Sequence, residues 1–205
     1  MTQEVNVMTK IFEDLELRRS RYGLSKEAVL TEEEVIELVE ASVQHTPSAF
    51  NAQTQRAVVL FGKHSDTFWD LTREALRKVA PEEGFENTVT KLESFKQGQG
   101  TILYYIDTDV VKGLQDQFAL YADNFPIWAE QENGMMQLVT WTALAGAGIG
   151  ASVQHYNPLV DASAAEAFEI PSSWKLVAQM PFGKAIDEVQ PKTLQDVKGK
   201  VKVFK

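Results

Sequence analysis

Three arginines and a serine stand together at Arg18-Arg19-Ser20-Arg21 in a chain that is otherwise acidic. A guanidinium grips a phosphate through two parallel charged hydrogen bonds, and a serine hydroxyl adds a donor, so this run can hold a phosphorylated ligand. It can equally be the cationic last turn of a helix, complementing the negative end of the dipole. A second polar run, Thr46-Pro47-Ser48-Ala49-Phe50-Asn51-Ala52-Gln53, joins a predicted helix to a predicted strand. Ser48, Asn51 and Gln53 suit the hydrogen-bonding edge of a planar heterocycle, although Pro, Ser and Asn also favour plain turns. A third run, Ser152-Val153-Gln154-His155-Tyr156-Asn157-Pro158, places polar groups at the C-terminal end of a predicted strand, a common ligand position in α/β sheets. Phe118, Tyr121, Phe125 and Trp128 form an aromatic stretch broken by Pro126. Most such residues are core, but a loop there can lay one or two rings over a bound ring.

Several chemistries are excluded. Gly146-Ala147-Gly148-Ile149-Gly150 leaves a helix and enters a strand, the reverse of a dinucleotide-binding glycine loop. It reads as a helix C-cap followed by close backbone packing. His45, His64 and His155 share no helical ligand spacing, which speaks against a zinc site. Gly150-Ala151-Ser152-Val153-Gln154 misses the nucleophile-elbow pattern at its last position, and no glycine-rich run ends in Gly-Lys-Ser or Gly-Lys-Thr. The chain has no cysteine, hence no disulfide, thiolate nucleophile or thiolate metal ligand. With 20 Lys plus Arg against 29 Asp plus Glu, the net charge of −9 argues against nucleic acid as a partner. Met1 to Lys10 lacks the apolar centre of a signal peptide. Met135 to Val153 is too polar and glycine-rich for a membrane span. The expectation is a soluble cytoplasmic protein.

The 205 residues suit one domain, 1–205, with no repeat, low-complexity linker or internal boundary. A first helix runs through Ile11, Phe12 and Leu15 and ends near Arg19. Thr31 followed by Glu34 forms a capping box for a second helix, with Val35, Ile36, Val39 and Val43 as its buried stripe and Pro47 as its stop. Arg56 to Phe61 reads as a buried strand and Ser65 to Val79 as a helix. Another helix runs from Phe85 towards Lys96, and Thr101 to Ile106 is a second strand. Helical segments follow at Leu114 to Tyr121 and Ile127 to Ala145, the latter apolar on most of its surface and therefore central. Gly148 to Val153 is a third strand, Ala162 to Phe168 a short helix, and Lys175 to Met180 a fourth strand ended by Pro181-Phe182-Gly183. The tail Val201 to Phe204 alternates and predicts an edge strand. Interleaved helices and four or five strands give a three-layer arrangement.

The order of these pieces resembles the nitroreductase superfamily: Arg18-Arg19-Ser20 after a first helix, then Pro47 to Gln53, then Gly148 to Tyr156, then Met180-Pro181-Phe182-Gly183. It looks closest to the short branch of fungal fatty-acid-repression-mutant proteins and bacterial copper-induced nitroreductases. The resemblance implies an α+β fold with a mixed central sheet flanked by helices, and a homodimer with FMN at its interface. It also implies hydride transfer from NAD(P)H to nitroaromatic or quinone-type acceptors by a ping-pong mechanism, with the flavin rather than a side chain carrying the chemistry. Arg18 and Ser20 would take the FMN phosphate and ribityl, and Arg19 the pyrimidine ring. Ser48 and Asn51 would reach the flavin from the other subunit, Gln53 would also bind the cofactor, and Gln154 and His155 would reach the N5 and O4 edge. Gly183 would lie beside the cofactor, and Lys184 or Lys192 would complete the phosphate site. Phe118, Tyr121, Phe125 and Trp128 would line the substrate pocket. Relatives often carry a basic residue two positions after the serine. Here that position is Tyr22, and whether Arg21 replaces it is open, as is the choice of Lys91 or Lys96 for another expected lysine. A rival reading on the same fold is a non-catalytic flavin- or tetrapyrrole-binding regulator.

Overall fold

Thr31 accepts from the Glu34 amide at 3.2 Å while the Glu34 carboxylate accepts from the Thr31 amide at 2.8 Å. This reciprocal box starts helix α2, Glu32–His45, where the sequence predicts it. A computed structural model describes residues 10–205. The Met1–Lys10 stretch considered above therefore lies, except for Lys10, outside the described residues.

The remaining elements are α1 (Lys10–Leu17), β1 (Leu24–Ser25), β2 (Gln55–Phe61), α3 (Gly62–Arg77), α4 (Phe85–Lys96), β3 (Gly100–Asp107), α5 (Thr108–Gln117), α6 (Phe125–Gly146), β4 (Ile149–Ala151), α7 (Asp161–Ala167) and β5 (Trp174–Ala185). Short 3-10 turns stand at Ala49–Asn51 and Ala119–Tyr121. The five strands form one sheet in the order β1-β5-β3-β2, with β4 also paired to β5. All named pairs are antiparallel. A parallel contact enters through the isolated bridge of Ser20 to Ala151, which ties the arginine run to the end of β4.

Strand β3 shows why the molecule has three layers. Ile102 and Tyr104 point to one face, packed with Val35 and Val39 of α2 and Met136 and Leu144 of α6. Leu103 and Tyr105 point to the other, packed with Phe68 and Trp69 of α3 and Leu92 and Phe95 of α4. Period-2 alternation in a central strand thus feeds two cores, which is the expected α+β three-layer fold. A register shift between Tyr104 and Tyr105 lets β5 place Leu176 in one core and Ala178, only two residues on, in the other.

Some boundaries differ from the expected ones. Strand β5 does not stop at Pro181 but runs through it to Ala185. The Pro181 carbonyl accepts from Ser152 N at 3.3 Å, so the missing N–H falls on the side where β4 has already ended. The segment expected as one helix over Leu114 to Tyr121 is split between α5 and a 3-10 turn, because Phe118 leaves helical geometry at φ −124°, ψ 63°. The tail Val201 to Phe204 forms no strand. Alternation gives it a face, but among the described residues no strand pairs with it, and Phe204 is exposed. The glycine run behaves as expected: Gly148 sits at φ 82° just after α6. A Cβ at Gly150 would stand 2.7 Å from the Ala185 Cβ.

Removing the Thr31 cap tests the start of α2. Thr31→Ala should cost about 1 kcal/mol and lower Tm by roughly 2–4 °C. A melting curve that superimposes on wild type would contradict the capping assignment.

Candidate functional site

Helix α1 ends at Leu17, and the Arg18 amide still donates to the Asp14 carbonyl at 3.0 Å. The chain then turns out, and the guanidinium carbon of Arg18 lies over the ring of Trp141 on α6, 4.3 Å from its centre. Arg18, Arg19 and Lys192 line one cavity of about 380 Å³, with Phe12, Leu15 and Glu16 among its other walls. Among the described residues Arg18 makes no ion pair. Burial and the neighbouring charge of Arg19 both push its guanidinium below its ordinary pKa. Three cations line this cavity against one carboxylate, Glu16, and none of the three is ion-paired among the described residues, so they form a donor set suited to an anion such as a phosphate.

The chain assembles this cavity from its two ends. Arg21 Nε binds Asp187 Oδ1 at 2.7 Å, and its terminal nitrogen also donates to the Asp187 carbonyl. Arg19 donates to the Gln190 carbonyl. These contacts bring the segment after β5 back over the arginine run, which carries Lys192 to the cavity. Burial pushes the Asp187 carboxyl up, but Arg21 and the amides of Tyr22 and Gly23 outweigh it and hold the group below its usual range. The open alternatives of the sequence now separate. Arg21 is committed to Asp187. Lys184 pairs with Glu27 at 2.6 Å outside the cavity, whereas Lys192 lines it. Lys91 lies over the Tyr22 ring at 5.8 Å, while Lys96 is bound to Asp70 at 2.9 Å.

The Thr46–Gln53 loop is built around a buried acid. Glu132 on α6 is 2% exposed and accepts from the Ala49 amide at 2.6 Å and from the Thr54 hydroxyl at 3.0 Å. Ser48 Oγ accepts from the Gln53 amide at 3.0 Å. Between these ties Phe50, Asn51 and Gln53 adopt φ values of 56°, 55° and 50°, a left-handed conformation that is costly for Phe and Gln. Asn51 and Gln53 are exposed, and Gln53 borders a second cavity of about 630 Å³ beside α2 and β2. Neither Ser48, Asn51 nor Gln53 lines the Arg18 cavity. Burial pushes the Glu132 carboxyl up, and its bonds to Ala49 and Thr54 only partly oppose this. The sequence signal for Glu132 was an acid on a helix read as apolar over most of its surface.

Phe50 is also absent from the expected site. Its ring lies 5.0 Å from Phe118, 5.7 Å from Tyr121, 5.5 Å from Phe125 and 5.9 Å from Trp128, with the last pair stacked. The expected aromatic stretch is therefore one cluster centred on the loop's strained phenylalanine. Phe125 is buried in it, Phe118 and Trp128 are half-buried, and Tyr121 is exposed.

Gln154 is buried, exchanges backbone bonds with Gln179 at 2.7 and 2.9 Å, and donates from its side chain to Ser152 Oγ at 3.1 Å. Next to it, His155 is exposed. Gly183 lies inside β5, where an added Cβ would meet the Ser25 carbonyl at 2.7 Å, so close packing explains it. Among the described residues no group of three or more His, Asp or Glu is placed to hold a metal, and no helix is long and apolar enough to cross a membrane.

The nitroreductase family model matches residues 15–184. The chain belongs to the nitroreductase family. It is 31% identical over 192 residues to the putative nitroreductase HBN1 of Saccharomyces cerevisiae, covering 93% of this chain and 94% of that one. The nitroreductase CinD of Lactococcus lactis, solved with chloramphenicol, superposes with a TM-score of 0.87 at 42% identity, covering 95% of this chain and 99% of CinD. CinD has also been solved with 4-nitrophenol, at a TM-score of 0.86. At 19% identity, a nitroreductase from Desulfitobacterium hafniense with bound FMN shares the fold, with a TM-score of 0.70 over 96% of this chain. As a member of the nitroreductase family, this chain is an oxidoreductase of the nitroreductase kind.

Glu132 supplies a pH test. Because its folded pKa is raised, its favourable contribution is complete below the unfolded value and is lost as pH rises through the folded one. Glu132→Gln cannot ionise. The stability advantage of wild type over Glu132→Gln should therefore shrink as pH rises above the ordinary carboxylate range, read from urea midpoints. An advantage that grows with pH would show that the charged form is the favoured one.

Proposed function

We propose that this chain is an FMN-dependent oxidoreductase that passes reducing equivalents from NAD(P)H to nitroaromatic or quinone-type acceptors, working as a homodimer. The observation that carries the reading is the cavity of Arg18, Arg19 and Lys192, in which Arg18 has no acidic partner among the described residues. A phosphomonoester supplies the missing negative charge. Arg18 and Lys192 would hold that phosphate, and Ser20, fixed by its bridge to Ala151, would bond the ribityl chain. Arg19, steadied by Gln190, is the donor for the pyrimidine edge of the ring. His155 stands exposed just beyond β4, where its backbone and side-chain groups suit the opposite ring edge, while Gln154 beside it is bonded to Gln179 and Ser152 and fixes the backbone there. When bound, FMN supplies the two-electron hydride chemistry; the protein supplies position and electrostatics.

Ser48, Asn51 and Gln53 lie on surfaces other than the Arg18 cavity. A dimer lets these groups reach a cofactor held by the partner. An apolar hollow of about 470 Å³ between α1 and α6, with Ile11, Leu15, Leu138 and Val139 in its walls, offers the kind of patch that a second subunit covers. The aromatic cluster around Phe50 suits flat electron-poor acceptors. CinD, with its two nitroaromatic ligands, supports that acceptor class.

The purified protein should be yellow, and its visible band should bleach with NADH or NADPH under nitrogen. A colourless protein indifferent to added FMN overturns the reading, and a yellow one that is never bleached makes it a regulator instead. One open face used by donor and acceptor in turn predicts parallel initial-rate lines; intersecting lines would show that both bind together. Arg18→Ala should weaken FMN binding by about ten- to a hundredfold, as expected when charged phosphate bonds worth about 1.5–3 kcal/mol are lost. Unchanged affinity in a flavin titration would remove Arg18 from the phosphate site.

A further inference from the structure

Arg18 and Arg21 are three residues apart and have opposite fates. Arg21 is held by an acid, Asp187, and its charge is spent inside the protein. Arg18 is held by a ring. Its contact with Trp141, at 4.3 Å, fixes the guanidinium without neutralising it. A flat guanidinium stacked on a flat ring uses its face and leaves its edge N–H groups free. Those edge groups are the ones that bind a phosphate in bidentate fashion.

The indole is well placed to act as a fixed support. Trp141 packs against the core that contains Met136, Leu144 and Val39, so the ring is held by the interior of the molecule. Its Nε1 is buried and has no hydrogen-bond partner among the described residues. A buried indole normally finds one, so here the face of the ring, rather than its N–H, is the part in use. Burial first, and then the neighbouring charge of Arg19, weaken the hold of Arg18 on its proton.

We propose that Trp141 is a positioning residue that makes this site select phosphorylated over unphosphorylated flavin, by holding the edge of Arg18 towards the phosphate. The proposal rests on the FMN reading above and deepens it. Trp141 touches no ligand in this scheme; it acts through Arg18.

The test compares dissociation constants of the full-length chain for FMN and for riboflavin, by quenching of flavin fluorescence. Wild type, Trp141→Leu, Trp141→Phe, Arg18→Ala and the Arg18→Ala/Trp141→Leu double variant are titrated. Wild type should prefer FMN. Trp141→Leu should reduce that preference about three- to thirtyfold, the range expected for loss of a cation–π contact, while riboflavin affinity holds. Trp141→Phe keeps a weaker π face and should fall between the two. In the Arg18→Ala background, Trp141→Leu should change nothing further.

A Trp141→Leu protein with the full wild-type preference overturns the proposal. So does one that loses both flavins equally, because that marks a purely structural role. If Trp141→Leu does not fold, Trp141→Phe decides, and an unchanged preference there overturns the proposal. Wild type that binds neither flavin sinks the FMN reading itself. A preference abolished by Arg18→Ala but kept by Trp141→Leu leaves that reading intact and removes only Trp141.

Discussion

A half-buried arginine without an acid costs a folded chain free energy, because the charge loses water and gains no counterion. Arg18 is in that position, with Arg19 beside it and Lys192 across the cavity. The chain bears a net charge of −9, so acids were available in number, yet none among the described residues pairs with Arg18. Local repulsion of this kind persists when the surrounding structure holds it in place. Helix α1 delivers Arg18, α6 supports it through Trp141, and the bridge from Ser20 to Ala151 stops the run from swinging away. In the proposed function that cost is offset when the phosphate binds.

Two carboxylates show how the same chain holds its site from opposite sides. Asp187 takes the charge of Arg21 and pins the returning segment, so that residues 171 positions apart, Arg19 and Gln190, touch. Glu132 takes no cation. It spends its oxygens on the Ala49 amide and the Thr54 hydroxyl, and burial rather than charge pairing sets its proton affinity. One acid tunes electrostatics and the other fixes backbone. The strained φ values of Phe50, Asn51 and Gln53 sit between the two oxygens of Glu132, where the anchoring at Ala49 and Thr54 can hold them.

Patterns that act locally were legible in the sequence. The Thr31–Glu34 box, the alternation in β3 and the αL turn at Gly148 are written in neighbouring residues, and the structure bears them out. What depends on distant partners was not. The passage of β5 through Pro181 depends on where β4 ends, and the missing strand at Val201 depends on the lack of a neighbour. Lys184 and Lys192 look alike as letters; only Glu27 near one and the arginines near the other separate them. Phe50 was passed over because its ring belongs with Phe118 and Trp128, nearly seventy or more positions later. Glu132 stood with Glu130 as one of two acids on an otherwise apolar helix, and its meaning came only with the loop that wraps it.

The separation of the two polar groups constrains the proposed assembly. FMN has its phosphate at one end and its ring at the other, so residues meeting both ends need not share one surface of one chain. Arg18, Arg19 and Lys192 form one surface, while the Ser48–Gln53 loop with its aromatic cluster forms another, bordered by a different cavity. If a single chain closed both around one ligand, the aromatic face would be sealed and no second substrate could enter. Splitting the groups between two chains leaves each ring open on the side facing Phe50. Glu132 then matters to the partner's site as much as to its own fold, because the loop it anchors is the part this chain would lend.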